Sequence, residues 1–149
     1  SPAFVYVHDI FPTACELAGA PLPQGIDGES LAPIIHGEKR GVRDTVMLAY
    51  CGTQRSVSNG RWKLIQLPQI NRTMLFDIKN DPREITDLAA DPEHKPIIER
   101  MMKLLRAEQG KYGDTLPLVS EKPRPAEFIP PPKDRQKPPN KGGIAPAFL

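Results

Sequence analysis

Asn59-Gly60 constrains this chain more than any other pair of residues, because the two together favour the left-handed backbone of a two-residue hairpin turn. Arg55 to Ser58 runs into it and Trp62 to Leu67 returns from it, so an antiparallel pair is expected there. Thr45 to Tyr50 before the pair and Arg72 to Ile78 after it are rich in β-formers. The spacing therefore predicts a small antiparallel meander of about four strands. Behind it, Ile97, Ile98, Met101, Met102, Leu104 and Leu105 recur at helical spacing, which predicts a helix from about Pro92 to Gln109 stopped by Gly110. One apolar face on such a helix covers one face of the sheet, an α+β arrangement.

The first forty residues read differently. Phe4 to Val7 looks like a buried strand, and Asp9 is placed to cap a helix carrying Ile10, Phe11, Ala14, Cys15, Leu17 and Ala18 until Gly19. A loop with Gly25 and Gly28 follows, then a short helix capped by Ser30, running through Ile35 and closed at Gly37. This strand and helix have no partner strand in the chain. Together with the start at SPAFVYVHD, inside an apolar run, that points to a piece of something longer, completed by a neighbouring domain. The expected division is 1–40, 41–112 and a tail, 113–149.

Nine of the eighteen prolines lie from Pro117 onward, where apolar periodicity also ends, so the tail is expected to be extended and poorly ordered. Its Lys133, Arg135, Lys137 and Lys141 would keep it soluble or touch an anionic surface. The net charge of +2, with acids and bases interspersed, excludes the basic stripe that nucleic acid requires. No segment approaches the roughly twenty apolar residues of a membrane span, and the chain as given shows no export signal. Cys15 and Cys51 neither require nor exclude a disulfide; Cys15 reads as a small buried residue.

The stretch LFDIKNDPREITDLAADPE, Leu75 to Glu93, has the acidic composition of either a metal loop or a set of turns. A calcium loop of the EF-hand kind needs oxygen ligands at alternate positions around a central glycine, and no glycine occurs in the segment. Asn80-Asp81-Pro82 is instead turn chemistry, and Asp91-Pro92 is an N-cap followed by proline in the first helical turn.

Taken in order, VHDIFPTACELAGAPLPQGIDGESLAPIIHG, RWKLIQ and LFDIKNDPREITDLAADPE resemble the C-terminal part of the sulfatases, the arylsulfatase-like branch of the alkaline phosphatase superfamily. The match covers about residues 3 to 110. Asp87 stands where the family usually has asparagine, and the arginine of the Arg61 to Ile65 strand sits one place closer than usual.

The resemblance implies the C-terminal portion of an α/β enzyme that hydrolyses sulfate esters of aryl compounds or carbohydrates. It implies a formylglycine nucleophile made from a C-x-P-x-R motif and a calcium ion, both held upstream of this chain, and a periplasmic or secreted location. No catalytic or metal-binding residue carries over onto a residue here. Cys51-Gly52-Thr53-Gln54-Arg55 has cysteine and arginine at the motif's separation, but Thr53 stands where proline or alanine is needed. His8 and His36 read as structural. In this family the C-terminal subdomain borders the cleft, which makes Tyr50, Gln54 and Arg55 the candidates for substrate contact. Arg55 would meet an anionic sugar or sulfate; read structurally, it is a surface arginine. Two alternatives stay open: a stand-alone binding or assembly module, and a related phosphonate or phosphate ester hydrolase.

Overall fold

A computed structural model of the chain describes residues 2–127. The order is α1 (Ile10–Leu17), α2 (Ala32–Ile35), β1 (Val46–Tyr50), β2 (Gln54–Ser58), β3 (Trp62–Leu67), β4 (Arg72–Asp77) and α3 (Lys95–Lys111). The four strands form one antiparallel sheet in sequence order, as the hairpin signal and strand spacing predict. Gly60 adopts φ +87°, and Asn59 Oδ1 accepts from the amides of Arg61 and Trp62, which fixes the β2–β3 register.

That register aligns Met47, Val57, Leu64 and Leu75 in one row across all four strands. The row faces Met101 and Leu105 of α3, and these residues with Trp62 form the core. Asp91 caps the approach to α3 by accepting from the amide of Glu93, as its position before proline predicts.

Both sheet edges are occupied along this row. At β1, the Tyr6 hydroxyl donates to Met47 O at 3.0 Å and accepts from Met47 N at 2.6 Å. At β4, Leu75 O accepts from Leu88 N, and Leu75 N donates to Asp87 Oδ1 at 3.1 Å. Edge strands left open pair with other chains; here the protein's own segments take those bonds. An asparagine at 87 would offer the same oxygen, so the aspartate keeps the contact.

Three expectations are corrected. Phe4 to Val7 is not a strand: residues 2–6 are irregular and lead into a 3-10 turn over Val7–Asp9, and the Tyr6 hydroxyl rather than its backbone takes the edge bonds of β1. α3 runs through Gly110 to Lys111, and the turn comes at Gly113, with φ +66°. Cys15 is half-buried rather than buried, since the side of α1 bearing Ile10, Phe11 and Leu17 is exposed.

The tail adds contacts that its composition does not reveal. Within the described residues it is extended but docked. Leu118 is buried in the core, Gln66 donates to Leu118 O at 2.7 Å, and the side-chain amide of Asn71 both donates to and accepts from the Ser120 backbone. Arg124 N bonds Gln69 O. Proline removes donors but does not prevent side chains of the sheet from gripping the remaining polar groups of this strap, 113–127. The rest of the tail, 128–149, lies outside the described residues.

Leu118→Ala should therefore cost about 2 kcal/mol or more in denaturant unfolding, as a core truncation does. Val119→Ala, at a residue 59% exposed, should change stability by less than about 0.5 kcal/mol. Equal, negligible effects would show that the strap is not part of the folded unit.

Candidate functional site

The elements converge on a cavity of about 300 Å³ bounded by Tyr6 and His8, Ala49 of β1, Arg55 at the start of β2, and Tyr112 and Asp114 after α3. Its position follows from the sheet. Two residues along from the apolar row, on the same face, the register aligns Ala49, Arg55, Gln66 and Thr73. This polar row lies past the end of α3, under the strap. Thr73 donates to Gln66 Oε1 at 2.6 Å, Gln66 donates to the strap at Leu118, and Arg55 pairs with Asp114.

Arg55 is 7% exposed, so it is an internal arginine rather than a surface one. Its Nε and Nη2 donate to the two oxygens of Asp114 at 2.6 and 3.0 Å, and Nη1 donates to the carbonyls of Cys51 and Gln54 at 2.7 and 2.8 Å. Hydrogen bonds from Arg55, reinforced by Gln109 and the Leu116 amide, hold the Asp114 carboxyl well below the usual carboxylate range despite its burial. The pair is ionised and mutually neutralised.

Tyr50 is exposed at the tip of the β1–β2 hairpin, and Gln54 is half-buried at the other end of the turn. The three residues singled out in the sequence thus share one turn, but only Tyr50 and Gln54 have side chains free of the Asp114 pair. Cys51, between them, is exposed with φ +46°. Thr53 stands where a C-x-P-x-R site needs proline or alanine, and Arg55 is committed to Asp114 and two carbonyls, so this turn does not fit a formylglycine centre.

The N-terminal wall has its own hub. Arg43 donates through both terminal nitrogens to the fully buried Asp9 carboxylate, the Nη2 bond being 2.7 Å, and the amides of Tyr6 and Glu29 donate to it at 2.6 and 2.9 Å. Asp9 was expected to cap α1; it makes no cap bond there, because these partners take its oxygens. Burial would raise its pKa, but the bonds from Arg43 and the two amides outweigh that and bring it to about 2.

Thr13 extends the lock, accepting from Leu31 N at 2.8 Å, while a Cβ on Gly28 would stand 2.5 Å from His8 O. Asp9-x-x-x-Thr13 and Gly28-Glu29-Ser30-Leu31 are therefore two halves of one contact. Ser30 meets the first turn of α2 by accepting from Ala32 N, and Gly37, with φ +77°, closes that helix at His36.

Above Asp9, Arg43 lies 4.6 Å from the centre of the Tyr6 ring, His8 stacks on that ring at 4.8 Å, and Tyr112 meets it edge-on at 6.3 Å. Burial raises the Tyr6 pKa, so its hydroxyl stays protonated and able to donate to Met47. His8 is exposed at the rim.

Sequence reasoning missed Tyr6, Arg43 and Asp114. Arg43 sits in a loop without periodicity, and Asp114 follows Gly113 in a segment that composition assigned to the tail.

The acidic stretch from Leu75 to Glu93 is spent on scaffold. Asp77 takes Arg61 and Asn80, Asp81 takes the amides of Ile85 and Thr86, and Asp87 takes those of Leu75 and Ala89.

A family model described as N-sulphoglucosamine sulphohydrolase, C-terminal, matches residues 1–111. The Delta 4,5-hexuronate-2-O-sulfatase of Bacteroides thetaiotaomicron is 34% identical over 105 residues, which cover 65% of this chain and 22% of that enzyme. A solved 2-O GAG sulfatase superposes with a TM-score of 0.63 at 32% identity, over 71% of this chain and 25% of that one. Another structure, in complex with its substrate D-glucosamine-2-N,6-O-disulfate, superposes with a TM-score of 0.63 at 26% identity, over 76% of this chain and 25% of that one.

The chain belongs to the sulfatase family and corresponds to its C-terminal domain. It spans about a quarter or less of the length of these three relatives.

Asp9→Asn should destabilise the protein by about 3 kcal/mol or more in denaturant unfolding, because it takes the buried, bidentate counter-charge from Arg43 and leaves only the half-exposed Glu29 at 3.7 Å. In the parent protein, the stability contributed by Asp9 is present above its ordinary value of 3.8 and lost as pH falls toward about 2. Acid titration of the variant should lack that part of the loss. A variant as stable as the parent at neutral pH would remove Asp9 from its place as hub.

Proposed function

We propose that the protein to which this chain contributes the C-terminal domain hydrolyses sulfate esters, with a sulfated carbohydrate or aryl sulfate as substrate. The observation that carries this reading is the match of residues 1–111 to a sulfatase C-terminal family, joined by superposition on a 2-O GAG sulfatase at 32% identity and on a structure that holds D-glucosamine-2-N,6-O-disulfate as its substrate at 26%.

The catalytic groups lie in the α/β domain that precedes this one in the family. There, formylglycine supplies the nucleophile and calcium offsets charge on the sulfate oxygens. Neither is assigned to a residue here. The described carboxylates from Asp77 to Asp91 are engaged by backbone amides and neighbouring side chains.

Residues 1–40 go with that domain. Val5, Val7, Ile10, Phe11 and Leu17 are each more than half exposed, an apolar surface that a neighbouring domain covers. Residues 41–112 form the subdomain that borders the cleft, where Tyr50 and Gln54 at the hairpin tip meet the substrate beyond its sulfate. The periplasm or cell exterior, where sulfated glycans are met, suits this substrate class. Among the described residues, no helix is long and apolar enough to cross a membrane.

The full-length protein should release sulfate from sulfated sugars or an aryl sulfate. Replacing the upstream nucleophile should abolish release, and Cys51→Ala should leave it intact. Tyr50→Ala should raise KM for a sulfated disaccharide several-fold with little change in kcat on a small aryl sulfate, the signature of lost substrate binding away from the reacting centre. A full-length protein that binds sulfated sugars but releases no sulfate would instead be a binding module.

A further inference from the structure

We propose that Asp114 is a positioning residue which, acting through Arg55, sets the shape of the hairpin tip from Tyr50 to Gln54 and thereby its selectivity for the sugar part of a sulfated ligand. The ligand class rests on the sulfatase reading above; the coupling itself does not.

Tyr50 and Gln54 close the turn as the last pair of the β1–β2 ladder, but the three residues between them have little to hold them. Cys51 is in the left-handed region at φ +46°, a conformation that costs a non-glycine residue about 1 kcal/mol. Thr53 bonds back to Tyr50 O through its amide and hydroxyl, but these bonds are local and solvent-exposed, and a Cβ on Gly52 would touch nothing within 4 Å. Among the described residues, two outside side chains reach in: Gln69 Nε2 donates to Gly52 O at 3.2 Å, in an exposed contact, and Arg55 Nη1 donates to both Cys51 O and Gln54 O. Arg55 therefore ties the two ends of the turn together from inside the fold.

Arg55 cannot take this position alone. A guanidinium this buried needs a counter-charge, and Asp114 supplies it as a fork-to-fork pair that also fixes the plane of the group. Asp114 is in turn fixed from behind, accepting from Gln109 Nε2 at 2.9 Å and from Leu116 N at 3.3 Å, while Leu118 and Ser120 fasten the strap to Gln66 and Asn71. The chain of contacts runs from the strap to Asp114, then to Arg55, then to the carbonyls of the tip. Asp114 lies three residues beyond the region that the family model matches, so the end of this control sits outside the shared domain.

The pairing also decides what the tip can recognise. With the Arg55 charge neutralised, Tyr50 and Gln54 present an aromatic ring and an amide to a ligand. Such a surface suits the apolar face and hydroxyls of a sugar ring, and leaves the sulfate to the catalytic domain.

The test uses the full-length protein and its Asp114→Asn, Arg55→Lys and Asp114→Glu variants. Amide hydrogen exchange at residues 51–54 should rise about tenfold or more in Asp114→Asn and Arg55→Lys, with exchange in α3 unchanged, and should fall back toward the parent level in Asp114→Glu. Leu75→Ala, which weakens the core without touching the pair or the strap, should not reproduce this pattern. In parallel, Asp114→Asn should raise KM for a sulfated disaccharide about fivefold and leave kcat on a small aryl sulfate as it was.

Unchanged exchange at the tip in both Asp114→Asn and Arg55→Lys would overturn the coupling. Faster exchange with an unchanged KM would overturn the role in ligand selection. If the parent releases no sulfate from any substrate while the exchange pattern appears as expected, the sulfatase reading fails and the coupling stands.

Discussion

A carboxylate with no solvent contact must be matched by donors or it neutralises, and Asp9 satisfies that requirement by drawing three separated pieces of chain together. Arg43 comes from the loop before the sheet, Glu29 from the glycine-containing loop, and Tyr6 from the N-terminal segment. Tyr6, placed in this way, puts its hydroxyl on the open edge of β1. The edge protection of the sheet and the wall of the cavity therefore both depend on one buried charge. This also explains the spacing of the two short motifs: Asp9 and Thr13, one helical turn apart, receive the amides of Glu29 and Leu31, two residues apart in extended chain, and Gly28 is the only residue type that lets the two backbones close to that distance.

The sheet solves a second problem with a second buried ion pair. A helix long enough to cover the whole face of the strands would have called for apolar residues in both cross-strand rows. Here α3 covers one, and the other is polar: Arg55, Gln66 and Thr73. Polar side chains under a cover cost stability unless each finds a partner, and the strap provides Asp114 and the Leu118 carbonyl where they are needed. The strap is thus an alternative roof, polar where the helix is apolar, and its docking follows from the composition of the row beneath it.

The parts of this fold that were legible in the sequence are those whose determinants lie close together. Asn59-Gly60 is a local signal, and the strands on either side fall within a residue or two of their expected bounds. Asp91-Pro92 likewise acts on its immediate neighbours. Phe4 to Val7 was misread as a strand because β-propensity records a preference for a half-buried pleated surface and says nothing about whether a partner exists. Gly110 was misread as a stop because a glycine inside a helix costs only about 1 kcal/mol, which packing of Leu105 and Gln109 offsets. The strap was missed for a related reason, since proline content reports on backbone donors and not on Leu118 or Asp114.

The candidate site was half legible for the same physical reason. The hairpin tip could be found, since Tyr50, Gln54 and Arg55 lie in one turn between two recognisable strands. The role of Arg55 could not, because its counter-charge is 59 residues away and follows a helix whose end was misplaced. An arginine in a polar turn carries the same local pattern whether it points to solvent or into a buried pair. Only the register, which sets Arg55 on the covered face two places from Val57, decides between them. That register is itself fixed at Asn59-Gly60, on the far side of β2. The turn that makes the sheet predictable therefore also turns the arginine inward, and leaves recognition at the tip to its uncharged neighbours.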